Sequence, residues 1–166
     1  MTKKVINHAS KIMSHEYGGG HVMVAGGLHC VYNSHQALYT MENPGVPMTK
    51  ANDAISDSLG GVLKALLGNY HILYLPSLKE VKKGVREASG GKYGQRVIYT
   101  PAGQEFHLNA RYLAEAMDAL STDVCYYLDD KHPVFLCQKG DINASIIEAI
   151  LPIGTYHKKL DTFVAG

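Results

Sequence analysis

The sequence predicts an α+β protein in which an antiparallel sheet packs against helices. Three observations predict it. Residues 105–153 read strand, helix, strand, strand, strand. Residues 2–41 read helix followed by three strands. Apolar residues make up 46% and charged residues 19% of the 166, enough for one core and too few charges for a disordered chain. The expected organisation is one domain over 1–166: a helix-plus-three-strand half at 1–43, a helix-and-strand insert at 44–104, a βαβββ half at 105–153 and a tail at 154–166.

Residues 2–15 carry an apolar stripe of Val5, Ala9, Ile12 and Met13 at helical spacing. Lys4, His8, Lys11 and His15 fall on another face, which reads as solvated or phosphate-facing. Gly18-Gly19-Gly20 stops this helix. Residues 21–41 then divide into three short strands, with Gly26-Gly27 at one turn and Asn33-Ser34-His35 at the other. The stretch 42–47 is a break. A second helix is expected over 49–67, with Ile55, Leu59, Val62, Leu63 and Leu66 on its apolar face and Gly60-Gly61 weakening its middle. Residues 70–75, YHILYL, form a nearly continuous apolar run and predict a central strand. A third helix over 78–88 buries Leu78, Val81 and Val85 and sets Lys79, Lys82, Lys83 and Arg86 in a basic row. A Gly-rich loop and a strand at 96–100 follow.

In the last segment, 105–108 alternates as a short strand. Asn109 can cap a helix by accepting a first-turn backbone N–H. Leu113, Ala116, Met117 and Leu120 recur on one helical face. Strands are expected at 124–128, 133–137 and 145–153, joined by turns at 129–132 and 139–141. The last strand is too apolar for an exposed edge, so Ile150 or Leu151 should be buried.

The residues Phe106-His107-Leu108-Asn109-Ala110-Arg111-Tyr112-Leu113, then Met117-Asp118-Ala119-Leu120, Pro133-Val134 and Ala149-Ile150-Leu151-Pro152-Ile153 resemble the last half-domain of the bacterial β sliding clamp. That ring holds a replicative polymerase on DNA. The resemblance implies a clamp-like βαβββ unit, with helices meeting DNA phosphates without reading bases. It implies a non-catalytic accessory protein engaging duplex DNA or replication proteins, assembled as a homo-oligomer. The DNA-contacting residues expected are Lys79, Lys82, Lys83 and Arg86, with Lys4 and Lys11 second. Glu115 and Asp118 make the fourth helix a poor phosphate-facing surface.

Composition limits the rivals. Net charge is only +1, so any attraction to nucleic acid is local. No run is long enough for a membrane span, and the first residues lead into no apolar stretch of a signal peptide. Three cysteines without CxxC fit a reduced, cytoplasmic protein. No cofactor, metal or catalytic residue is expected. The glycine pairs match no nucleotide-binding fingerprint, and Asp129-Asp130 reads as a turn. The alternatives are a small hydrolase using His15, His21, Cys30 and His35, or a plain protein-binding adaptor. The hydrolase needs those groups to converge. His15 and His21 do not have HExxH spacing, and adjacent strand residues such as His29 and Cys30 point to opposite faces.

Overall fold

The computed structural model describes residues 1–14, 18–64, 66, 68, 70–87, 96–99, 106–129 and 131–152. Its helices are α1 (Lys3–Met13), α2 (Asp53–Lys64), α3 (Leu78–Glu87) and α4 (Ala110–Leu120). The strands are β1 (Gly20–Val24), β2 (Leu28–Tyr32), β3 (Gln36–Thr40), β4 (His71–Tyr74), β5 (Arg96–Tyr99), β6 (Phe106–Asn109), β7 (Val124–Tyr127), β8 (Val134–Cys137) and β9 (Ile147–Ile150). Seven of them make one antiparallel sheet in the order β1-β2-β3-β9-β8-β7-β4, and β5 pairs with β6 separately.

Local chemistry starts and stops these elements where the residue types allow. Thr2 accepts the Val5 N–H and caps α1 at 3.3 Å. Asn109 accepts the N–H groups of Arg111 and Tyr112 and caps α4. The β1–β2 hairpin turns through Gly26 and Gly27, whose φ of +88° and +78° other residues rarely adopt. At the β2–β3 turn, the Asn33 side chain accepts from the His35 and Gln36 amides, closing an Asx turn.

Strand alternation divides the core into two layers. Val31, Leu38, Cys125, Tyr127, Val134, Leu136 and Ile150 face α1, α3 and α4. Cys30, Ala37, Tyr39, Tyr126, Phe135, Cys137 and Ala149 face the other way, where Leu59 of α2 packs. The Tyr39 hydroxyl donates to the Leu59 carbonyl at 2.6 Å, so a buried tyrosine fixes α2 to the sheet. Each fully buried side chain of Leu or Phe size stabilises the fold by about 1.5–3 kcal/mol relative to exposure.

The two helix-then-three-strand runs, α1-β1-β2-β3 and α4-β7-β8-β9, meet through their third strands. β3 and β9 pair antiparallel, with Gln36 opposite Ile150 and Leu38 opposite Glu148, as a two-fold relation between the runs requires. α1 and α4 pack beside each other across this seam. The expected neighbourhood of Cys125, Tyr127 and Phe135 in one antiparallel sheet under α4 is present, and Ile150 and Leu151 are both buried.

Three expectations need correction. The run at 70–75 is an edge strand: among the described residues β4 ends the sheet and pairs only with β7, because an apolar run does not distinguish a covered strand from an exposed apolar edge. The strand before α4 pairs with β5 and leaves the main sheet, so the fourth place beside β7 is taken by β4. His8 is buried, although it alternates with exposed Lys4 and Lys11, because it sits on the boundary between the two stripes of α1. The tail at 154–166, His15 and Asp130 lie outside the described residues.

Candidate nucleic-acid interface on the helix layer

α1, α3 and α4 form the layer on one side of the sheet, and their sequences concentrate positive charge there. They hold eight of the sixteen Lys and Arg residues against four of the fifteen Asp and Glu. The rest of the chain holds eight basic residues against eleven acidic ones. α2, on the opposite side, carries Asp53 and Asp57 against Lys64.

The structure brings part of the expected set together. Lys4 of α1 donates to Asp118 of α4 at 2.9 Å, with both side chains well exposed. That hydrogen bond from Lys4 holds the Asp118 carboxyl below the usual range, helped by the charges of Lys4, Lys82 and Lys11. A groove of about 370 Å³ runs between the helices and is lined by Lys11, Lys82, Arg111, Glu115 and Asp118. Three cations from three helices thus surround two carboxylates. Lys79 and Lys83 are exposed on α3, anchored beneath by buried Val81 and by Leu78 and Val85 at the core margin. The Arg86 side chain lies outside the described residues. Arg111 was missed because α4 reads as acidic; its place at the start of α4, beside the facing lysines, depends on tertiary packing.

A second groove, of about 150 Å³, lies between α1 and α4 and is lined by His8, from which a buried polar chain runs. The His8 imidazole, 3% exposed, donates through Nε2 to Glu148, which is 0% exposed on β9. Gln36 of β3 donates to the other Glu148 oxygen at 3.3 Å, and Asn33 donates to Gln36 at 3.1 Å. Burial opposes the charged imidazolium, but the Glu148 carboxylate, with Glu115 behind it, outweighs burial and nearby Lys11, so the His8 pKa is raised. Among the described residues His8 Nδ1 has no hydrogen-bond partner. Glu148 was legible as a signal: a carboxylate inside the apolar run IIEAIL needs a partner.

Among the described residues, which leave out His15, the groups proposed for hydrolysis do not converge. His21 donates from Nδ1 to the Val46 carbonyl at 2.8 Å and accepts at Nε2 from His29 at 2.9 Å, and burial lowers its pKa. Cys30 is fully buried on the α2 side, and burial pushes its thiol far up, away from the reactive thiolate. His35 lies against Ser34 and the Tyr112 ring. Cys125 and Cys137 are likewise buried thiols, pushed up to about 12. Asp129 accepts from the Lys131 and His132 amides and from the His132 ring, as a turn former does. Among the described residues no three His, Cys, Asp or Glu side chains are grouped to hold a metal ion, and no helix is long and apolar enough to cross a membrane.

No protein-family model matches the sequence, and no curated protein matches it. Solved structures with a similar backbone include a sliding clamp, DNA polymerase III subunit beta, from Bartonella birtlesii bound to griselimycin. That similarity has 13% identity and a TM-score of 0.49, over 92% of this chain and 64% of that one. The DNA polymerase III beta chain of Streptococcus pneumoniae TIGR4 is similar at 12% identity and TM-score 0.47, over 77% of this chain and 41% of that one. This chain therefore spans less than two thirds of either of those chains.

Proposed function

We propose that this chain is a non-catalytic, clamp-like accessory protein that engages duplex DNA through the outer face of α1, α3 and α4. The observation that carries the reading is the segregation of charge: half of all Lys and Arg lie on three helices of one layer, in a chain whose net charge is only +1. Cations fixed on rigid helices can follow a phosphate backbone without reading bases. Lys4, Lys11, Lys79, Lys82, Lys83 and Arg86 are the proposed contacts, with Arg111 added from the groove geometry. Glu115 and Asp118 serve to hold the lysines in place, and Asp118 already does so for Lys4. Acting in more than one copy belongs to this reading, because one sheet with one helix layer presents a face and encloses nothing. Replication proteins are the other partner class in this reading.

The test is binding to a fluorescent duplex over a salt series. Lys79, Lys82, Lys83 and Arg86 changed together to Ala should leave folding intact and weaken binding about equally for every sequence. The slope of log affinity on log salt should become shallower by about 0.9 for each phosphate no longer neutralised. Absence of wild-type binding at low salt would remove the reading. Unchanged binding in the quadruple variant would move the DNA-facing set to Lys4, Lys11 and Arg111.

A further inference from the structure

The two ends of the main sheet are treated differently. Along β1, residues 46–49 cover the outer edge: the Thr49 N–H donates to the His21 carbonyl at 2.9 Å, the His21 N–H donates to Thr49 Oγ1, and the His21 ring donates to Val46. Along β4 no such cover exists among the described residues. β4 carries no Lys, Arg, Asp, Glu or Pro, the residues that usually protect an open edge. Apolar side chains are exposed there instead: Ile72 50% and Tyr74 76% on β4, and Tyr70 39% just before it. These three share the face occupied by Tyr126, since Ile72 lies opposite Tyr126 and the Tyr70 ring meets it edge-on. α2 packs at the β1 end of that face.

We infer that β4 is a self-pairing edge, at which two copies of the chain join antiparallel about a two-fold axis through Ile72 to make one sheet run through both. The backbone sets the register. The Leu75 N–H donates to Asp123 on the β7 side, so by antiparallel alternation residues 71, 73 and 75 turn toward β7 while 70, 72 and 74 turn outward. The Tyr70 N–H is already taken by the Gly68 carbonyl. Pairing centred on Ile72 lets each Ile72 exchange both bonds with the partner's Ile72, and each Tyr74 N–H donate to the partner's Tyr70 carbonyl. The same register puts Tyr74 beside the partner's Tyr70 on one face, and no Lys, Arg, Asp or Glu of β4 meets its like across the axis. A two-fold contact is self-complementary and closes at two copies. The covered β1 edge selects it over an open chain of β1-to-β4 contacts. A single strand pair lies at or below the roughly 1,200 Å² lower limit of stable interfaces, so the dimer is concentration-dependent. This pairing is one contact between the several copies that the DNA reading calls for; it rests on the β4 edge alone, and its test is separate from duplex binding.

The test combines sedimentation equilibrium with cysteine crosslinking of the full chain. Wild type should pass from monomer to dimer with concentration, whereas Ile72→Lys, folded by circular dichroism, should stay monomeric. The three native cysteines are buried, so Ile72→Cys should give a disulfide-linked dimer under mild oxidation. A hydrogen-bonded antiparallel pair has Cα atoms about 5.5 Å apart, within disulfide reach. Met23→Cys, exposed on β1, should not link to itself or to Ile72→Cys in a mixture. A wild type that remains monomeric throughout, an Ile72→Lys dimer, or a mixed link between positions 23 and 72 would each overturn the proposal.

Discussion

α1 and α4 hold matching places in the chain order, each before a run of three strands, yet their surroundings differ. α4 lies between α1 and α3, and eight of its eleven residues are buried. α1 lies at the margin of the layer, with four of eleven buried. The composition follows. α4 is built from Ala, Leu, Met and Tyr with three charges, whereas α1 carries three lysines and no acidic residue. A helix enclosed on both sides can contribute stability but little surface. The marginal helix presents the cationic face and is tied down at a few points. One of those points is buried, His8 on Glu148, and one is exposed, Lys4 on Asp118.

The largest effect expected from that contrast is at the buried tie. Glu148→Leu leaves the His8 imidazole without its partner and should cost about 3 kcal/mol in chemical denaturation. A loss below about 1 kcal/mol, the range of an exposed pair, would erase the distinction between the two ties. Next is the core: Leu120→Ala in enclosed α4 should cost about 2–5 kcal/mol and exceed Ile12→Ala in α1, where the margin can collapse around the cavity. Equal losses would show that α1 is as enclosed as α4.

The buried tie also has a pH signature. The folded His8 pKa is raised, so its contribution is fully present below the unfolded value of about 6.5 and is lost as pH rises through the folded pKa. The groups facing it are Glu148 of β9, Glu115 of α4 and Lys11 of its own helix. Wild-type unfolding free energy should therefore decline on the alkaline side, and a His8→Gln, Glu148→Gln double variant should lack that decline. A smaller effect is expected at the caps: Thr2→Ala and Asn109→Ala should each cost about 1 kcal/mol, with hydrogen exchange rising only in α1 for Thr2→Ala. The smallest is Lys4→Ala, below about 1 kcal/mol because its pair is exposed.

What was legible in the sequence was local. The Asn109 cap, the α4 stripe, the β7–β9 strands and the buried Ile150 and Leu151 each follow from residues near one another in the chain. The edge position of β4 was not legible, because YHILYL has the same pattern whether or not a strand covers it. Nor was the pairing of His8 with Glu148, residues 140 apart. The candidate surface was half legible: the α3 row and Lys4 with Lys11 stand out by spacing. Their meeting with Arg111 over α4 depends on how three helices pack.

The claim that the helix layer is the DNA-facing side is tested most directly by titrating the isotope-labelled chain with a short duplex and following backbone amide shifts. The expected result is a salt-sensitive set of perturbations on α1, α3 and the exposed start of α4, including Lys4, Lys11, Lys82 and Arg111, while α2 stays unchanged. Perturbations concentrated on α2 and the β4 edge, or none at low salt, would contradict it.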